Sequence, residues 1–144
     1  MHRHVAERLL RECFGYRDRE SFVVVAEPEG ATLAEQLAAA ARDLGFPASL
    51  LVIPRRTSPD GEPPDLVLEA LRAADIALFL APRSMAASRA FRIAQETGLR
   101  VGEITELAPD AFWRLLEAPA TVISSRASAL SGALEPGRRI RVRT

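Results

Sequence analysis

The apolar positions of this chain fall into two patterns that alternate along it: short unbroken runs, and longer stripes spaced three or four residues apart. Val5, Leu9 and Cys13 recur every four residues, with Leu10 and Phe14 beside them and Gly15 just beyond. This spacing predicts an amphipathic first helix that stops at the glycine. "SFVVVAE" follows, a β-branched run centred on Val23, Val24 and Val25. It is too short for a helix and apolar on both faces, as a central parallel strand is. "TLAEQLAAAARDLG" predicts a second helix. Thr32 and Glu35 form a capping box at its start, Leu33, Leu37, Ala40, Ala41 and Leu44 mark one face, and Gly45 closes it.

The alternation continues. "ASLLVI" predicts a second strand, and Pro54 to Asp65 form a polar loop containing a Pro-Asp-Gly turn. "DLVLEALRAA" is a helix and "DIALFLA" a third strand. "SMAASRAFRIAQETG" predicts a helix opening at Ser84, with Met85, Ala86, Phe91 or Ala90, and Ile93 as apolar positions and Gly98 as its end. "LRVGEI" is a fourth strand. "PDAFWRLLEA" places Pro109 at the first position of a helix. In "ATVISSRASALSGAL", Ile123, Ala127, Leu130 and Leu134 fall at helical spacing before Pro136 and Gly137. In "RRIRVRT", Ile140 and Val142 alternate with Arg139, Arg141 and Arg143, a half-buried strand whose arginines either dock an acidic partner or, as the favoured reading, discourage edge-to-edge pairing.

Strands and helices in this order imply right-handed βαβ crossovers. The expected fold is an α/β Rossmann-like or flavodoxin-like three-layer sandwich with a mostly parallel sheet of about five strands. One domain is expected over residues 1–144: the first helix in 1–20, βα units in 21–135 and an edge strand in 136–144. A chain of 144 residues is long enough to bury about 68–70% of its unfolded surface in a single core.

Composition narrows the functional classes. Hydrophobic residues make up 48% and charged residues 26%, ordinary values for a globular protein. Basic and acidic residues number 19 each, so no overall field draws nucleic acid or an anionic membrane. Every basic residue is arginine, which removes Schiff-base chemistry and the phosphate-loop lysine. Cys13 is the only cysteine; there is no intramolecular disulfide and no thiolate metal cage, and a reducing cytoplasm is expected. The first 15 residues lack the apolar core of a signal peptide, no run is long enough to span a bilayer, and Met1 directly ahead of a helix is what a genuine chain start looks like.

In open α/β sheets, ligands collect beyond the carboxyl ends of the strands, where strand order reverses. Those ends supply Glu27 and Glu29, Arg55 and Arg56, Arg83 and Ser84, and Glu103 and Thr105. The candidate ligand-binding residues are therefore Glu27, Arg55, Arg56, Arg83, Ser84 and Thr105. Arg83 and Ser84 form either a helix cap or, with the first free N–H groups of the helix, a cradle for a carboxylate or phosphate. The dinucleotide fingerprint is absent: "AEPEGATLAEQ" has one glycine where that fold needs three, and two acids that would repel a pyrophosphate. No cofactor is expected. A serine nucleophile has neither the elbow glycines nor a histidine base in the body of the sheet. Glu27 with Glu29, or Glu103 with Glu106, could serve acid–base chemistry but read as solvated loop charges. His2 and His4 do not share a helix face, so no metal site is expected.

Read in order, "FVVVAEPEGATLAEQLAAAARDLGFPASLLVIP", "GEPPDLVLEALRAADIALFLAPRSMAASRAFRIAQETGLRVGEI" and "LEPGRRIRVRT" resemble the N-terminal domain of the aminopeptidase T family of metallopeptidases. The likeness extends to the branch that includes ring-cleaving dihydroxypyridine dioxygenases. The resemblance implies a Rossmann-like domain, with the metal ligands and catalytic groups in a separate C-terminal domain. It therefore implies a stand-alone or excised, non-catalytic domain, without metal or catalytic residues, whose role is assembly: with a second copy, or on a separate metal-bearing chain. Where related members carry a Thr/Ser-rich turn with a histidine, this chain reads "APRSMAASRA". The alternative, from the residues alone, is a binding protein or enzyme holding a small anionic metabolite in the strand-end crevice.

Overall fold

The structure, a computed structural model, describes residues 3–57, 61–105 and 108–134. Four strands make one sheet: β1 (Phe22–Ala26), β2 (Ala48–Val52), β3 (Ile76–Leu80) and β4 (Arg100–Ile104). Their order is β2-β1-β3-β4 and every neighbouring pair is parallel, with Phe22 opposite Ala48 on one side and Ile76 on the other, and Ile76 opposite Arg100. The helices are α1 (Arg3–Arg8), α2 (Ala31–Asp43), α3 (Asp65–Ala73), α4 (Arg89–Glu96), α5 (Pro109–Leu115) and α6 (Ala120–Ala133). The expected edge strand at 139–143, with Pro136 and Gly137, lies outside the described residues, as do His2 and Glu106.

All five residues of β1 are buried, and so are all five of β3. A strand projects successive side chains to opposite faces, so burial of every position requires a layer on each side. Phe22, Val24, Ala26, Ile76, Leu78 and Leu80 pack into one core with α1, α2 and α5. Val23, Val25, Ala77 and Phe79 pack into another with Val67 and Leu71 of α3, Ala90 and Ala94 of α4, and Met85. The result is the three-layer Rossmann-like α/β sandwich. α6 belongs to neither layer: it buries no residue.

Local chemistry explains three departures from the sequence pattern. Beyond Arg8, α1 widens into a π-turn, Leu9–Cys13, closed by the Phe14 amide on the Leu9 carbonyl at 3.0 Å. The wider turn rotates Cys13 off the apolar stripe and out to solvent, while Phe14 joins the partly buried residues packed on the core. The capping box at Thr32 and Glu35 does not form. A 3-10 turn, Pro28–Gly30, already runs in helical conformation, so α2 starts on Gly30 with no side-chain cap. Finally, α4 begins at Arg89 rather than Ser84; Ser88 is its cap, accepting from the Phe91 amide at 3.2 Å. Glu103, at the end of β4, accepts from the Ser84 hydroxyl at 2.8 Å and from the Met85 amide, holding 84–85 as a loop. By contrast, Pro109 sits at the first turn of α5 as expected, and the helix-ending glycines Gly15, Gly45 and Gly98 all have positive φ.

The amino ends of the strands are closed by ionic contacts. Asp75 accepts from the Ser21 amide at 2.8 Å and its hydroxyl at 2.9 Å, joining β1 to β3. Arg100 pairs with Glu20 at 2.5 Å and donates to the carbonyls of Phe14 and Gly15, joining β4 to the end of the first helix. These hydrogen bonds hold the Asp75 carboxyl below its ordinary value, and the Arg100 guanidinium does the same for Glu20.

Gly30 passes directly beneath β3. A Cβ there would stand 2.6 Å from the Leu80 carbonyl oxygen and 2.9 Å from the Leu80 Cβ. Gly30→Val should therefore push α2 away from the sheet and cost about 1–3 kcal/mol, read as a lowered urea midpoint. A carboxylate whose folded pKa is depressed stabilises above its unfolded pKa, and that contribution is lost as pH falls through the folded value. Urea midpoints of the parent should drop on acidification from about pH 7 to about pH 3, and Asp75→Asn should flatten that drop.

Candidate functional site at the strand ends

At the carboxyl ends of the strands the chain collects most of its buried charge. Glu27 follows β1, and its amide is tied to the Leu80 carbonyl at 3.0 Å. Arg56 comes four residues after β2 and turns back under the loops. Its Nε donates to Glu27 Oε1 at 2.6 Å, Nη2 to the Arg83 carbonyl at 2.6 Å and Nη1 to the Ser84 carbonyl at 3.2 Å. Each side chain of the pair is only 3% exposed. Taking two charges out of water is costly, and the loss is recovered only where geometry is good and further hydrogen bonds are made. Here one guanidinium joins the ends of three strands.

The remaining charges are also engaged. Arg55 pairs with Glu29 at 3.0 Å on the surface, a contact worth about 0–1 kcal/mol. Arg83 donates to the Thr57 carbonyl at 3.3 Å. The Ser84 hydroxyl, besides donating to Glu103, accepts from the Ala86 amide at 3.1 Å. At the start of α4, Glu62 accepts from the Arg89 amide at 2.6 Å and the Ala90 amide at 3.3 Å. A carboxylate of the chain itself thus occupies the positive end of that helix.

Of the six candidate residues, the fold brings Glu27, Arg56, Arg83 and Ser84 into one network and places Arg55 beside it through Glu29. Thr105 is exposed beyond β4. The cradle expected from Arg83 and a helix start at Ser84 is not assembled as such, because the helix starts five residues later and its first amides face Glu62.

A cleft of about 380 Å³ lies alongside, where the chain order of the strands reverses between β1 and β3. Gly30, Leu33, Leu80, Pro82, Ile104 and Pro109 are among the residues that form its walls. Sequence reasoning missed these positions because they carry no reactive group. The available signal was Gly30, a glycine in the first strand-to-helix turn, where backbone must approach closely. Glu62 was missed too, since a glutamate between Gly61 and Pro63 has no periodic pattern to place it.

Among the described residues, no group of three or more His, Cys, Asp or Glu could hold a metal ion, and no helix is long and apolar enough to cross a membrane.

Strand order, parallel pairing and helices on both faces define a Rossmann-like α/β sandwich with its crevice at the β1/β3 reversal. No family model matches the chain and no curated protein matches it. Among solved structures, wild-type AmpT from Thermus thermophilus is similar to it, with 16% sequence identity and a TM-score of 0.48. The match covers 89% of this chain and 46% of that one, so the chain spans less than half of its neighbour's length.

Removing one partner of a buried ion pair strands the other. Arg56→Met should cost about 3–5 kcal/mol in urea unfolding, and the double variant Glu27→Gln with Arg56→Met should recover part of that loss.

Proposed function

We propose that this chain is a non-catalytic assembly domain that associates with a second copy of itself through α6. The observation that supports the reading is the helix itself: across Ala120–Ala133 no residue is buried. Ile123, Leu130 and Leu134 are 45%, 62% and 44% exposed, and with Ala127 they form one stripe at helical spacing. A 14-residue helix without tertiary packing is marginal in water, so this stripe calls for a partner. The helix is held at its base, where the Ala120 amide donates to Glu12 at 2.9 Å.

Charge favours a second copy. Arg126 is the only charged residue in α6, so the face bears no pattern that would select an oppositely charged partner. The whole chain has a formal net charge of zero, and two copies approach without net repulsion. The charged groups at the strand ends, meanwhile, are spent on one another. The resemblance of the sequence to the N-terminal domain of the aminopeptidase T family fits a non-catalytic role, since the metal-bearing domain there is a separate unit. A single cysteine fits a reducing, cytoplasmic setting.

Sedimentation equilibrium of the purified chain tests the reading. The parent should show a concentration-dependent dimer, and Ile123→Glu with Leu130→Glu should be monomeric with an unchanged circular dichroism spectrum. A parent that stays monomeric throughout, or a double variant that still dimerises, overturns it. So does a dimer that forms only with an added metal-bearing chain.

A further inference from the structure

We propose that the cleft at the β1/β3 reversal is a binding site for a small, uncharged, largely apolar molecule, of the size and shape of a single or fused aromatic ring. The proposal is independent of α6, because it rests on a different part of the molecule.

Position is the first argument. Strand order β2-β1-β3-β4 puts the crossovers on opposite faces to either side of β1 and β3, so their connecting segments diverge and leave a crevice at the carboxyl ends. The cleft, about 380 Å³, occupies that crevice and falls within the range of about 300–1,000 Å³ typical of small-molecule sites. It is roughly ten times the volume of one water molecule.

Its walls decide the ligand class. Leu33 rises from α2, Leu80 from the end of β3 and Ile104 from the end of β4. Pro82 and Pro109 close the sides, and neither has an N–H to offer a polar ligand. Among the described residues Glu29 is the one charged residue on the lining, and Arg55 holds its carboxylate at 3.0 Å. Among the described residues no arginine lines the cleft: the Arg56 guanidinium is committed to Glu27 and two carbonyls, and Arg83 reaches toward Thr57. An anion placed there would meet the Glu29 carboxylate and, at the rim, an Arg55 guanidinium already paired with it. An apolar ring would cover the part of Ile104, Pro82 and Pro109 that is open to solvent.

The floor of the cleft is closely packed. Gly30 stands against the Leu80 backbone without room for a side chain, and the buried Glu27–Arg56 pair fixes the loops beside it. A site built on strand ends and a helix start is preorganised, which reduces the ordering cost of binding.

The test titrates the isotope-labelled full chain with indole, and separately with inorganic phosphate, followed by amide chemical shifts. Indole should give saturable shifts at Gly30, Leu33, Ala81 and Ile104, and phosphate none at these amides. Ala108→Trp, at an exposed position on the rim, should weaken indole binding at least tenfold with an unchanged melting temperature. Should that variant misfold, intermolecular contacts between indole protons and the Leu33 and Ile104 methyl groups of the parent decide the matter; they are expected. No saturable shift up to the solubility of indole overturns the proposal. So do shifts scattered over the surface, or phosphate shifts at the same amides, which would mark an anion site instead.

Discussion

Arg56 reaches from the segment after β2 to Glu27 after β1 and to two carbonyls after β3, and the arrangement of this end of the molecule follows from that reach. Three loops that would otherwise splay are drawn to one guanidinium. The pair is almost fully removed from water, so burying either charge without the other is costly and the three loops are placed together. Such a contact adds less to stability than its Coulomb energy suggests, because desolvation offsets it. What it supplies is a single arrangement of the strand ends. The cleft between β1, β3 and β4 inherits its shape from that arrangement, as Gly30 and Pro82 lie within two or three residues of the clamp.

The layers of the sandwich were legible in the sequence because they depend on side-chain period. "FVVVA" and "IALFL" are apolar at every position, which only a strand covered on both faces satisfies, and the stripes of α2 and α3 match the two faces those strands present. Boundaries were less legible where hydrogen bonds across the fold outvote local propensity. Ser84 and Ser88 are equivalent as caps when read locally; Glu103, 15 residues beyond Ser88, decides between them by holding Ser84 in a loop. Thr32 and Glu35 carry the signature of a capping box, and a turn anchored by Pro28 enters the helix ahead of them. The charged candidates at the strand ends were legible as a cluster, since topology alone gathers them. Their pairing was not, because which carboxylate meets which guanidinium depends on loop paths that have no period.

The two ends of the sheet use charge differently. At the amino ends, Asp75 and Glu20 are near solvent and bind backbone groups and Arg100 of adjacent elements, so their contribution depends on pH. At the carboxyl ends the ion pair is shielded, and surface charges such as Arg55 and Glu29 stand at the rim of an apolar cleft. α6 lies apart from both, with its stripe uncovered.

The π-turn at Leu9–Cys13 carries a consequence for chain length. It holds one more residue than an ordinary helical turn, and that extra residue sets the phase of everything after it. Phe14 reaches the strand face, against Gly102 of β4, while Arg100 fastens the carbonyls of Phe14 and Gly15. Deleting one residue from this turn would restore the regular pitch, bring Cys13 back onto the inward stripe and swing the phenylalanine ring away from the strand it covers. The end of the first helix is thus specified by a count of residues as much as by their identity. A chain one residue shorter at this point would have to find a different side chain to cover the face of β4 at Gly102.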